Sequence, residues 1–232
     1  MNPKTDKHGP KSDLTVRKLA DSLAKVLGAP AFDVWITKKF DLGLFLENEE
    51  VPALIVGAGL MRRVQEREQR FLLARQLEKV KSGHHLWFKL PASEIEALVW
   101  GAAKLARPDL RVDRDAGELD NMMKKLTRFM SRRGRKLLEE LGPRLPQLRL
   151  ETERQRWASI HTANRAGLVL ANEIEISIRA IARDAGIRPG FADANGAREV
   201  FGNNPEVKEL LAYAVSEEYF AARTKLGFSI QS

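Results

Sequence analysis

Apolar and polar positions recur along this chain with two periods, and the clearest helical period lies between positions 67 and 88. There Leu73, Leu77 and Val80 fall at i, i+4 and i+7, the spacing of a buried stripe, while Arg67, Arg70, Gln76 and Lys79 take other angles of the wheel. Lys81 complements the carbonyl end of that helix and Gly83 supplies a stop. Upstream, Leu14, Val16, Leu19, Leu23, Val26 and Leu27 outline a helix ending at Gly28. Between these helices, 33–38, 43–47 and 53–57 read as strands, the first by alternation and the last by a short apolar run.

Downstream, Ser93 followed by Glu96 predicts a capping box that opens a helix through Leu105. Leu119, Met122, Met123, Leu126, Met130, Leu137 and Leu138 predict one helical stretch from Asp115 to Leu141, weakened at Gly134. Asn203, Asn204 and Pro205 predict the start of a last helix, 206–224, with Leu210, Leu211, Ala214, Val215 and Tyr219 inward. Positions 1–13 are polar, basic and broken by Pro3, Gly9 and Pro10, which predicts a mobile tail. Trp35, Trp87, Trp100 and Trp157 are expected in the core or lining a pocket.

Composition narrows the function classes. With 232 residues and 44% apolar side chains the chain has ample material for a core. It has no cysteine, which excludes disulfides, thiolate metal sites and a cysteine nucleophile. The first residues lack the apolar core of a signal peptide and no apolar run reaches membrane-spanning length, so a soluble, cytoplasmic protein is expected. No phosphate-binding GxxxxGK[ST], dinucleotide GxGxxG after a strand, or GxSxG elbow is present. Glu94 with Glu96, and Glu173 with Glu175, are i, i+2 pairs that point to different helix faces and make poor acid/base couples.

The formal charge is +8, and one run concentrates it: Lys124, Lys125, Arg128, Arg132, Arg133, Arg135 and Lys136, with no acid between Asp120 and Glu139. Such a run can bind phosphates of nucleic acid or of lipid head groups. It can equally form a solvated or partner-facing surface, and this second reading is preferred because no helix-turn-helix, zinc finger or aromatic RNA motif accompanies it.

The stretch EQRFLLARQLEKVKSGH, 68–84, resembles the signature of the HtpX and CAAX-prenyl-protease type of zinc metallopeptidase, roughly ELRFVLGHELGHIKSGH. Glu68, Arg70, Phe71, Leu77, Lys81, Ser82, Gly83 and His84 keep its frame. VPALIVGAGLMRRV, 51–64, is similar to the family's strand ahead of the active-site helix. IHTANRAGLVLA, 160–171, is similar to its downstream ExxADRAGLLA helix through Ala163, Arg165, Ala166, Gly167 and Leu168. The resemblance implies a zincin-like fold over about 14–185, α+β and predominantly helical, with a small sheet packed on the former active-site helix.

The chemistry of that family is missing from these positions. Where it places two zinc-binding histidines this chain has Arg75 and Lys79, where it places the catalytic glutamate it has Gln76, and the third ligand and a nearby aspartate are Ile160 and Asn164. Arginine has no lone pair to offer a metal, lysine binds one only after losing its proton, and a neutral amide is no base near pH 7. Two cations four residues apart also repel a dication. Two readings are open for Arg75 and Lys79: solvated side chains, or pairs with carboxylates of an adjoining helix. A metal site from His84, His85 and His161 is disfavoured, since adjacent histidines do not chelate as an i, i+4 pair does.

The sequence therefore predicts a basic tail at 1–13, a metallopeptidase-like domain at 14–185 and a helical extension at 186–232 packed on it. The expected function is a catalytically inactive protein-interaction, scaffold or regulatory module, with no cofactor, no metal and no membrane span. Two alternatives remain open at this stage: nucleic-acid binding through 124–136, and an enzyme with a relocated site.

Overall fold

The computed structural model describes residues 2, 5–47, 51–147, 150–184 and 201–228. The chain is α+β and predominantly helical, with one four-stranded mixed sheet. Its elements are β1 (Lys7–His8), α1 (Thr15–Leu27), β2 (Asp33–Thr37), β3 (Leu44–Glu47), β4 (Ala53–Gly57), α2 (Leu60–Arg63), α3 (Glu66–Ser82) and α4 (Ala92–Ala106). There follow α5 (Ala116–Phe129), α6 (Arg132–Leu141), α7 (Thr152–Ala171), α8 (Ile174–Asp184), α9 (Pro205–Ala214) and α10 (Glu217–Lys225).

Two compact units make up the chain, one formed by Met1–His85 with Ala158–Ser232 and the other by Leu86–Trp157. The contacts thus divide the chain at other points than 13/14 and 185/186. Residues 185–200, where the helical extension was expected to begin, lie outside the described residues.

In the first unit the sheet runs β1-β2-β4-β3, with β2 parallel to β4 and the two outer pairings antiparallel. Val34, Leu46, Leu54 and Val56 belong to the main core, which also holds Val16, Leu23, Phe71, Leu73 and Leu77 of α1 and α3. Because successive side chains alternate across a strand, Trp35, Ala53 and Ile55 form a second, smaller cluster against Phe40. Both faces of β2 and β4 are therefore buried, which is why β4 reads as an unbroken apolar run.

Helix α3 is central: besides the expected stripe, Phe71, Leu72, Ala74, Arg75 and Glu78 are also buried. Gly83 ends it at φ 69°, the left-handed conformation that glycine adopts without strain. α8 packs on α3, and α9 packs on α8.

The structure corrects several expectations. Residues 1–13 are not a free tail throughout, since Lys7 and His8 pair with Trp35 and Val34. The Lys7 ammonium stands 2.7 Å from the Asp33 carboxylate, and the Ile36 amide donates to the Asp6 carbonyl. Leu14 and Val26 of the expected α1 face are exposed, and Ala20, Ala24 and Arg17 are buried instead. Arg17 is accommodated because its guanidinium donates to the Phe32 carbonyl at 2.9 Å and to Asp21. Trp157, expected in the core or lining a pocket, is 38% exposed.

The predicted last helix is two helices. Ser216 caps α10 by accepting from the Tyr219 amide, and Val215, expected inward, is exposed. Asn204 caps α9 as the sequence suggested, accepting from the amides of Glu206 and Val207.

In the second unit α4 packs on α5. Ser93 does not cap α4; the N-terminal position is Pro91, with no side-chain cap. Glu96 is used elsewhere, bound by Arg114 and accepting from the Thr152 hydroxyl at 2.7 Å. The predicted helix 115–141 breaks at Met130 and Ser131, both extended. Ser131 accepts from the Gly134 amide at 3.1 Å and Arg135 donates to the Thr127 carbonyl at 2.8 Å, so the break satisfies donors and acceptors on both sides. Gly134 and a crowd of like charges make a continuous helix there the weaker alternative.

Candidate functional site

The positions singled out by the resemblance lie in the first unit, on α3 and α7. Gly167 fixes how the two helices meet: a methyl group at that position would lie 2.7 Å from the Phe71 ring and 3.1 Å from Arg75 Cγ. At the other end of the contact, Ser159 Oγ is 2.9 Å from His84 Nδ1. These two anchors run α7 antiparallel to α3, so Asn164 falls near Arg75 and half-buried Ile160 lies level with the end of α3 that carries Lys79.

Arg75 sits in the middle of this arrangement. Its side chain is 9% exposed, and its guanidinium donates to Asp184 at 2.8 Å and to Glu206 at 3.3 Å. It also lies over the Phe71 ring, 5.4 Å from the centroid. Asn164, fully buried, donates through Nδ2 to the same Glu206 oxygen at 2.8 Å. Four helices thus converge on one polar knot: α3 supplies Arg75, α7 Asn164, the end of α8 Asp184, and the first turn of α9 Glu206. Of the two readings left open for Arg75, pairing with carboxylates is the one observed.

Lys79 is half-buried beside the knot. Burial, and then the neighbouring Arg75 charge, push its ammonium down to about 8, with Glu206 and Asp184 opposing the shift. Near the N-terminus of α3, Glu68 is pushed up by burial, while Arg183, 2.5 Å away, acts in the opposite direction. Gln76 is half-buried on α3.

This donor set does not fit a zinc ion. An ion at positions 75, 79 and 160 would face a guanidinium, a lysine protonated at neutral pH and an isoleucine, none of which donates an electron pair. The two carboxylates in reach already accept from the two terminal nitrogens of Arg75. Among the described residues no three His, Cys, Asp or Glu side chains gather as a metal site would require, the His84, His85 and His161 set included.

Asp184 and Glu206 are the residues that the sequence did not single out. Asn204–Pro205 placed Glu206 in a first helical turn, but nothing local tied it to Arg75. The basic residues Lys124, Lys125, Arg128, Arg132, Arg133, Arg135 and Lys136 lie in the second unit, all exposed, divided between α5, with the first three, and α6, with the other four. Among the described residues no helix is long and apolar enough to cross a membrane. Comparison of the chain with family models, curated proteins and solved structures finds no match.

Proposed function

We propose that the chain is a catalytically inactive, metallopeptidase-like protein whose former catalytic centre serves as a structural knot in a soluble, cytoplasmic interaction or scaffold module. One observation carries this reading: Arg75, at the first zinc-ligand position of the resemblance, is buried and held by Asp184 and Glu206. A guanidinium so placed fills the position with a permanent positive charge and joins α3 to the end of α8 and the first turn of α9. The antiparallel approach of α7, and the place of Asn164 in the same knot, support the reading because the resemblance relates those two stretches independently.

The zinc content and peptidase activity of the purified full chain test it. The expected result is no stoichiometric zinc after dialysis against a trace of the metal, and no peptide cleavage that a chelator abolishes. Stoichiometric zinc together with chelator-sensitive cleavage overturns it. The scaffold half is tested by affinity capture from the native cell, in which a protein retained by the wild type is expected to be lost with an Arg75→Glu variant.

A further inference from the structure

The second unit carries seven cations that the knot in the first unit does not explain. Lys124, Lys125, Arg128, Arg132, Arg133, Arg135 and Lys136 are all exposed, and no acid interrupts the chain between Asp120 and Glu139. Among the described residues none of the seven stands within ion-pair distance of a carboxylate. Many arginines elsewhere are paired, as Arg17 with Asp21, Arg67 with Glu173, Arg70 with Glu66 and Arg75 with Asp184 illustrate. Seven like charges left together on adjoining helices repel one another, and an anionic surface relieves that repulsion.

The same two helices expose large apolar side chains. Phe129 is 76% exposed and Leu137 is 56% exposed, while α6 buries none of its residues. Lys125 and Phe129 are one helical turn apart, as are Arg133 and Leu137, so cation and apolar group share a face. Arg128 lies 5.2 Å from the Phe129 ring centroid. A phosphodiester backbone needs only the cations and has no place for Leu137. The boundary of an acidic bilayer takes both, headgroups pairing with Lys and Arg while Phe and Leu enter below them.

We propose that the α5–α6 surface, through Lys125, Arg128, Phe129, Arg133, Lys136 and Leu137, docks on an anionic lipid bilayer. The helices lie on the interface and do not span it. This proposal is independent of the reading given for the first unit.

Co-sedimentation of the full chain with phosphatidylcholine vesicles, with and without phosphatidylserine, tests it. Binding is expected on the acidic vesicles alone and is expected to fall as salt rises. The variant Lys125→Ala/Arg128→Ala/Arg133→Ala/Lys136→Ala should bind on the order of a thousand-fold more weakly. Phe129→Ala, with all seven cations kept, should bind acidic vesicles about ten-fold more weakly. A parallel measurement with double-stranded DNA and single-stranded RNA separates the two sources of phosphate. Equal binding to neutral vesicles, an unchanged vesicle affinity in Phe129→Ala, or nucleic-acid binding at a salt concentration where vesicles are released would each overturn the proposal.

Discussion

The Arg75 guanidinium donates to the Asp184 carboxylate at 2.8 Å although 109 positions of sequence separate them. Glu206, 131 positions away, takes a second bond from the same guanidinium and one from Asn164. A bond network of this kind holds helices that have no short connection, and its loss leaves buried charge without a partner.

Arg75→Ala should therefore destabilise the protein by about 2 kcal/mol, less than for a fully buried pair because Asp184 is half-exposed. For a chain of this size that lowers Tm by roughly 4–8 °C. Since Arg75 and Asn164 share one Glu206 oxygen, the double variant Arg75→Ala/Asn164→Ala should deviate from additivity by about 1 kcal/mol. Strict additivity in thermal or denaturant unfolding would show that the knot is not a unit.

Lys79 imposes a pH dependence with a definite sign. Its folded value of about 8 lies below the ordinary 10.5, so between those values the unfolded chain holds a proton that the folded chain has released. Stability then rises with pH across that window, and the cost of the buried ammonium is fully present below about pH 8. Lys79→Met should raise Tm at pH 7 and flatten the rise seen in the wild type. Parallel pH profiles for the two proteins would refute the assignment.

The helix crossing at Gly167 leaves no room for a side chain. Gly167→Ala brings a methyl group to 2.7 Å from the Phe71 ring, which is itself fully buried, so the ring or α7 has to move. The expected cost is about 2 kcal/mol, read as a fall in the denaturant midpoint. An unchanged midpoint would mean that α7 does not pack on α3 in this way.

Asn204 closes the N-terminus of α9 and so helps to hold Glu206 in the knot. Asn204→Ala should cost about 1 kcal/mol, whereas Asn204→Ser should be nearly neutral. Equal loss in both variants would point to a role for the amide other than capping.

Much of the local structure was legible because its causes are local. The three strands between α1 and α3, the extent of α3 with its stop at Gly83, and the cap at Asn204 follow from alternation, period and turn chemistry within a few residues. The errors arose where a neighbour in space outranked one in sequence. Ser93 and Glu96 fit a capping box, but Glu96 is taken by Arg114 and Thr152. Leu14 and Val26 fit an apolar stripe with Val16 and Leu23, yet α1 leaves the first two exposed and buries the smaller Ala20 and Ala24 beside Val16 and Leu23.

By itself the sequence determined which side chains occupy positions 75, 76, 79 and 160, and hence that zinc-ligand chemistry is absent there, because ligand capacity belongs to the residue type. It also determined that seven cations lie together, since charge does not depend on the fold. Only the tertiary structure decided that Arg75 is buried against Asp184 and Glu206, and that α5 and α6 are separate helices exposing those cations beside Phe129 and Leu137. Burial and pairing depend on which distant segments the core brings together, and no periodicity along the chain encodes that choice.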